Sequence, residues 1–587
     1  MHKKPRLTLA IVLALVTSLT SVVHLGTAET VRADTSADDQ FIPLTPTPVL
    51  DTRSALGTPT TTKVAPNASV TFQVTGVAGI PATGVSAAAL NLIAIAPEKF
   101  GWFTVHASDT PVTTSSLTYH PGESTTGQDL TRLTGTGKVT VKNNGEGPVH
   151  IAVAVRGYFL DAADTQAGNE YYPVRTDYLY DTRPELATGS PARTTPIDAN
   201  SSATFDVAGQ KGIPAAGVNA VALNVVAAHQ NTAKGWLSLY PSNRPDPRVS
   251  TVDYVPHEAN SNFTITELTG TGQLTITNHG SAPIHVSITL RGYFMGVTAD
   301  GEGSYYRPVA TQQLVNTLQG IGTAGGSTEP LAPGAVLTFD ATRFAGVYPD
   351  EVTTAAINVN ARQPTAQGWL SVYAEDSEDP SISSVNFDQG GESTNGFDLA
   401  IPGFNGKITI ANHSSGTVHV QVSVRGYFIL PDDPENAPVA EEVLEGEGEE
   451  SIPVEDGEAG TTAKVKWKDY KREVFCESLG KAQLNNYWVR YRRYSNGKSR
   501  VRNIYVDVRD EGYGTKESNY AAWRGYGGNV TYFYGENKNG AYSHWWEGRY
   551  IAKYYPTRSA RPYVKIAAKW NRIAQPDVVC RGYINVY

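Results

Sequence analysis

The chain has 587 residues, 40% of them hydrophobic, and carries 48 Lys and Arg against 57 Asp and Glu for a formal net charge of −9. Beyond one N-terminal run, no stretch is apolar enough to span a membrane. With only two cysteines, Cys476 and Cys580, a zinc site built on thiolates is not expected, and neither is any other metal or a cofactor.

His2, Lys3, Lys4 and Arg6 form a charged start, followed by an apolar run from Leu7 to Val23. Small residues at Gly26 and Ala28, or at Val31 and Ala33, suit cleavage after Ala28 or Ala33, so residues 1–33 are expected to be a secretory signal peptide. The competing reading, an uncleaved anchor, needs a span of ~20 apolar residues, and the run is slightly short. The expected location is therefore secreted or extracellular, with no transmembrane anchor in the mature chain and any attachment to a cell surface non-covalent.

From Phe41 onward the sequence repeats three times with a period of about 130. The copies span 41–160, 171–295 and 305–430. Each opens on a Pro eight residues ahead of Asp51-Thr52-Arg53, Asp181-Thr182-Arg183 or Asn316-Thr317-Leu318. Each then has an Asn inside an apolar strand (Asn91, Asn224, Asn358), a Gly-Trp pair (Trp102, Trp236, Trp369) and a closing Arg-Gly-Tyr-Phe at Arg156, Arg291 and Arg425. The strands before the close, such as His150 to Arg156, alternate strictly between apolar and polar positions, and no stretch has a convincing helical period. Many short strands punctuated by Gly, Asn, Pro and Ser predict an all-β chain of three tandem β-sandwich or jelly-roll-like repeats. Each copy is large enough for its own core, so 41–159 alone is expected to fold as a monomer. The short connections between copies suit either an extended stalk or packing around a pseudo-threefold axis.

These motifs resemble a repeat of exported proteins from high-GC Gram-positive bacteria, which shares the Asp-Thr-Arg opening, the Asn-Val strand, the Gly-Trp turn and the Gly-Tyr-Phe close. The resemblance covers Phe41 to Leu430 and implies an extracellular β-module beside a separate effector or binding domain. It implies no active-site residues. The third copy departs from the pattern at Asn316 and Leu318. His150, His285 and His419 share a strand face with the closing Arg but stand six residues away, roughly 20 Å, too far to share one small ligand. The expected roles are structural: a half-buried His, an Arg holding a turn or carboxylate, and an ion pair or turn at Asp-Thr-Arg.

Residues 431–462 hold 12 Asp and Glu with no Lys or Arg between Pro431 and Gly460, a composition that predicts a disordered acidic linker. A sharper reading has it folding back on the module that follows. That module, 463–587, holds 24 Lys and Arg against 10 Asp and Glu, a net of +14, with 6 of the 9 Trp and 17 of the 31 Tyr. Cys476 and Cys580 lie near its two ends, and in an exported chain the pair is expected to form a disulfide stapling a small β-rich domain.

Within the module, Leu484 to Tyr494 and Arg500 to Val508 read as a hairpin turning at Asn496-Gly497. That turn would set Tyr487 opposite Val506, Val489 opposite Ile504, Tyr491 opposite Arg502 and Arg493 opposite Arg500, with Trp488 opposite Tyr505 on the other face beside Arg490 and Arg492. Val530 to Tyr534 and Tyr542 to Tyr550, which include the adjacent Trp545 and Trp546, read as a second, longer-looped hairpin. Cations among flat rings hold and stack on anionic or sugar-rich partners. The expected binding residues are Arg490, Arg492, Arg493, Arg500, Arg502, Trp488, Tyr491, Tyr505, Trp545 and Trp546. The expected partner is an anionic extracellular polymer or cell-wall glycan, ahead of a protein or a nucleic acid. The expected function is a secreted binding or adhesion protein whose repeats present the module. The alternatives are a toxin-like or wall-degrading enzyme using His544, Glu547 and Arg549, and a structural surface protein. No catalytic motif supports the enzyme, and in a strand His544 and Glu547 point to opposite faces.

Overall fold

The computed structural model describes residues 39–429 apart from 161–167, 229–231, 297–302, 347–351, 391–392 and 404–405, and nine strands beyond residue 440. The expected signal peptide, Cys476, Asn496, Gly497 and Arg549 lie outside the described residues.

Each repeat contributes eight strands. The first has β1 (Gln40–Asp51), β2 (Ser69–Gln73), β3 (Val85–Ile95), β4 (Gly101–Ala107), β5 (Leu117–Tyr119), β6 (Thr125–Arg132), β7 (Lys138–Asn143) and β8 (His150–Leu160). The second follows with β9 (Asn169–Asp181), β10 (Ser202–Asp206), β11 (Val218–Ala227), β12 (Gly235–Pro241), β13 (Val252–Tyr254), β14 (Asn260–Glu267), β15 (Gln273–Asn278) and β16 (Val286–Gly296). The third has β17 (Tyr305–Asn316), β18 (Val336–Asp340), β19 (Val352–Arg362), β20 (Gly368–Ala374), β21 (Val385–Phe387), β22 (Ser393–Ala400), β23 (Lys407–Asn412) and β24 (His419–Ile429). Inner sheets run β1-β8-β3-β6, β9-β16-β11-β14 and β17-β24-β19-β22; outer sheets run β2-β7-β4-β5, β10-β15-β12-β13 and β18-β23-β20-β21. Two four-stranded sheets interleaved in this order, with the first strand beside the last, are a jelly roll.

The apolar strand of each repeat is continuous because both of its faces are buried. In β3, Ala88, Leu90, Leu92 and Ala94 enter the sandwich of their own repeat, while Ala87 and Ala89 face a fourth core shared by all three repeats. That fourth core answers the question of stalk or ring. Phe41 pairs with Asn169, Tyr171 with Ser304, and Tyr306 with Asp39, so the repeats close cyclically, and the first contact merges two inner sheets into one of eight strands. At the centre lie six rings, the opening Phe41, Tyr171 and Tyr306 and the closing Phe159, Phe294 and Phe428. Each opening ring packs on the closing Phe of its own repeat and of a neighbour. Phe41 lies 5.0 Å from Phe159 and 4.5 Å from Phe294, Tyr171 lies 4.9 Å from Phe294 and 4.3 Å from Phe428, and Tyr306 lies 5.1 Å from Phe428 and 4.3 Å from Phe159.

Every position of Arg-Gly-Tyr-Phe has a physical reason in this ring. The Phe joins the axial cluster, and the Tyr (Tyr158, Tyr293, Tyr427) turns into the core of its own repeat. The Gly must lack a side chain because the opening ring lies across it: a Cβ at Gly292 or Gly426 would come 2.5 Å from Tyr171 or Tyr306, and one at Gly157 would strike Phe41. The Arg is buried and reaches into the next repeat. The strand Asn crosses the same boundary, with Nδ2 of Asn91, Asn224 and Asn358 donating to the carbonyls of Ser250, Ser383 and Ser116 at 2.9, 2.9 and 3.2 Å.

The last nine strands are β25 (Glu441–Pro453), β26 (Thr462–Phe475), β27 (Asn486–Tyr494), β28 (Ser499–Arg509), β29 (Lys516–Arg524), β30 (Val530–Asn537), β31 (Ala541–Glu547), β32 (Tyr563–Asn571) and β33 (Val578–Asn585). They form sheets ordered β25-β26-β27-β28-β31 and β30-β29-β32-β33. Three sequence expectations change here. The acidic stretch is not wholly a disordered linker, because β25 pairs with β26 in a register that sets Glu441 across from Arg472, Glu442 from Lys471, Glu447 from Lys468 and Glu449 from Lys466. Opposite charges across a strand pair favour that pairing. The second hairpin does not form, since β30 pairs with β29 and β31 with β28. The first hairpin forms with a bulge between Arg490 and Tyr491 that leaves Arg502 without a register partner, so Tyr491 stands opposite Val501 and Arg492, not Arg493, opposite Arg500.

A repeat freed from the ring would leave Phe41, Ala87, Ala89, Leu130 and Phe159 uncovered, which revises the expectation of an independent monomer. Fragment 41–160 should self-associate in sedimentation velocity, and a monodisperse monomer would contradict a shared core. In the full chain, Phe428→Ala should cost about 3–5 kcal/mol in denaturant unfolding.

Candidate functional site

The polar residues that recur in the repeats hold the fold together. Thr52, Thr182 and Thr317 hydrogen-bond Nδ1 of His150, His285 and His419 at 2.9, 3.0 and 2.9 Å, tying the opening motif to the closing strand. Burial holds the His150 and His419 imidazoles below the usual histidine range. Asp51 and Asp181 pair with Arg53 and Arg183 at 2.8 and 2.6 Å. The third copy keeps the turn through the Leu318 N–H to Asn316 Oδ1 bond of 3.1 Å and has no ion pair there.

Two boundaries between repeats carry buried ion pairs, Arg291 Nε to Asp398 at 2.7 Å and Arg425 Nε to Asp129 at 2.9 Å. A cleft lies above each, of about 270 Å³ over Arg291 and about 200 Å³ over Arg425. Both guanidiniums are committed to a carboxylate of the next repeat.

The Gly-Trp turns gather residue types that sequence reading did not combine. Trp236 stacks on His279 at 3.7 Å and Trp369 on His413 at 5.0 Å. Nε2 of His279 meets Ser238 Oγ at 3.0 Å and Asp246 at 2.8 Å, and Nε2 of His413 meets Ser371 Oγ at 3.0 Å and Asp379 at 2.9 Å. A hydrolytic relay needs the carboxylate on one ring nitrogen and the hydroxyl on the other. Here both sit on the same nitrogen, so the clusters anchor the indoles and relay no proton.

A pocket of about 80 Å³ draws on all three repeats, with Glu123, Glu258 and Asp388 among its lining residues. Burial, then Asp388 with its charge and hydrogen bond, then Glu123, push the Glu258 carboxyl up to about 7. No group of three or more His, Cys, Asp or Glu among the described residues could hold a metal ion.

The C-terminal sheet brings together residues from three strands. Trp488 on β27 is the register partner of Tyr505 on β28, and Tyr505 is the partner of Trp545 on β31. Alternation along β27 places Arg490 and Arg492 on the same sheet face as Trp488, and the bulge brings Arg500 to that face as the partner of Arg492. Tyr491, Arg493 and Trp546 belong to the opposite face, whose register rows also include Val489, Ile504 and Val506. His544 is the partner of Val506 and Glu547 of Asn503, so the two stand on opposite faces. The sequence paired Trp488 with Tyr505; the addition of Trp545 to that row depends on β31 joining β28 across an intervening sheet, for which no local signal exists.

No family model and no curated protein matches this chain. Among solved structures, a chain from "Life in the extremes: atomic structure of Sulfolobus Turreted Icosahedral Virus" aligns at 12% identity over 63% of this chain and 85% of that one, with a TM-score of 0.15. At that score nothing about fold or function follows from the likeness. Among the described residues no helix is long and apolar enough to cross a membrane.

The axial carboxylates give a pH prediction. Glu258 binds its proton more tightly in the ring than in the unfolded chain, so its contribution to stability is complete below its ordinary value of 4.5 and is lost as pH rises to about 7. Glu258→Gln should flatten the fall in unfolding midpoint between pH 5 and pH 7 relative to the parent chain. An identical pH profile would show that the carboxyl is not held protonated.

Proposed function

We propose that this is a secreted multidomain binding protein whose basic, aromatic C-terminal module takes up an anionic extracellular polymer or cell-wall glycan, the ring of repeats serving as the scaffold that presents it. The observation that carries the reading is the register row Trp488, Tyr505 and Trp545 with Arg490, Arg492 and Arg500 on the same sheet face. Flat rings in a row present stacking surfaces to successive units of a chain polymer, and guanidiniums beside them hold its anionic groups. The opposite face, richer in Val and Ile, suits the core of the module. A hydrolytic reading through His544 and Glu547 is disfavoured by their positions on opposite faces.

Attraction between exposed charges is screened over ~8 Å at physiological salt, so affinity of the full chain for wall teichoic acid, acidic polysaccharide or peptidoglycan should fall steeply as salt rises. Replacing Arg490, Arg492 and Arg500 together should weaken binding at least tenfold, about 1.4 kcal/mol, and Trp488→Ala with Trp545→Ala should weaken it at both low and high salt. His544→Ala should leave binding intact. Loss of polymer mass that depends on His544 or Glu547 would replace the binding reading with an enzymatic one. The Cys476 to Cys580 disulfide is part of the same proposal: reduction should lower the melting temperature of this module and leave that of the ring unchanged.

A further inference from the structure

The three boundaries of the ring are built alike, and one lacks its counter-charge. Aligned on the closing motif and on the strand that faces it, Arg291 meets Asp398 and Arg425 meets Asp129, while the position that faces Arg156 is Thr264. A second acceptor is missing as well. Two residues before the Arg, Thr289 and Ser423 accept from Nη1 of Arg291 and Arg425 at 2.9 and 3.0 Å, and the corresponding residue ahead of Arg156 is Ala154. The consequence appears at the two matching atoms: Nε and Nη1 of Arg156 are buried with no hydrogen-bond partner, and among the described residues Nη2 donates to Thr251 Oγ1 at 2.9 Å. Arg156 is 1% exposed, so bulk water does not screen it. Burial lowers the pKa of its guanidinium to about 10, which leaves it a cation at neutral pH.

A buried cation without a counter-charge is costly, and the two sister boundaries show what chemistry offsets it. We propose that Arg156 holds a chloride-sized monovalent anion from solvent at the boundary between the first and second repeats, in the role that the carboxylates of Asp398 and Asp129 play at the other two. The size follows from the side chains. Thr264 nearly matches an aspartate in volume, and Ala154 lacks the hydroxyl that Thr289 and Ser423 supply at the sister boundaries, so what is missing here is closer in size to a monatomic ion than to a phosphate or sulfate.

The test uses the full mature chain, with chloride replaced stepwise by gluconate at constant ionic strength. The melting temperature of the ring should rise saturably with chloride, by about 2–4 °C, as expected for a ligand that binds the folded state alone. Thr264→Asp should raise the melting temperature in gluconate and abolish the chloride response, because the protein then supplies its own counter-charge. Should that variant not fold, Arg156→Met and the excess line width of chloride-35 resonance on the parent chain decide the matter: the parent should broaden the line, bromide should compete, and Arg156→Met should lose at least half of the broadening. Equal melting in chloride and gluconate, or a chloride response in Thr264→Asp or Arg156→Met as large as in the parent, would overturn the proposal.

Discussion

Burial of six aromatic rings on the axis is the constraint on which the rest of the ring depends. A jelly roll ordinarily needs one buried face per sheet, yet here the inner sheet of every repeat is buried on both. Ala87, Ala89 and Leu130, like Ala220, Ala222 and Ile265, would face water in an isolated repeat and are fully buried in the ring. Small alanines beside large rings let three sheets approach closely at one axis. Once the rings meet, the glycine of the closing motif must stay bare, the Arg is carried into the neighbouring repeat, and the strand Asn finds a carbonyl there. The motif is therefore a record of assembly between repeats, not of the fold of any single one.

A ring made of three copies of one chain would have three equal boundaries. In a single polypeptide each copy varies alone, and the boundaries have diverged. The third copy has lost the opening ion pair and kept the turn, since Asn316 supplies the same side-chain acceptor to the backbone as Asp51 and Asp181. Both partners are replaced together there, by Asn316 and Leu318, so no charge is left alone. The loss of the carboxylate opposite Arg156 is of another kind, because there a buried charge is left alone.

The all-β secondary structure was legible because it rests on local signals: alternation and punctuation by Gly and Asn, in a motif repeated at fixed distances. The Asp51 to Arg53 pair was legible for the same reason, its partners standing two residues apart, whereas Thr52, the partner of His150, lies 98 residues away in sequence. The axial ring was not, since Phe41 and Phe294 are separated by two whole jelly rolls and nothing local marks them as neighbours. In the candidate site, Trp488 opposite Tyr505 followed from the Asn-Gly turn, but the bulge at Arg490 exchanged Arg493 for Arg492 across from Arg500. Turn chemistry sets register only as far as the first irregularity.

The acidic strand links the two halves of the chain in one electrostatic argument. β26 would otherwise present a row of unpaired backbone groups at the edge of a strongly basic sheet, a template for pairing with any extended chain. β25 occupies that edge with carboxylate-bearing residues in register with Lys466, Lys468, Lys471 and Arg472. Composition alone predicts a tether for such a stretch, because a block of like charges repels itself. Repulsion is offset when each charge finds an opposite one across the ladder, and that partner lies beyond the segment whose composition is being read. A run of acid followed by a run of base, joined by a short connection, is thus as much a strand-pair signal as a linker signal, and the choice turns on whether both runs alternate with residues able to share a sheet.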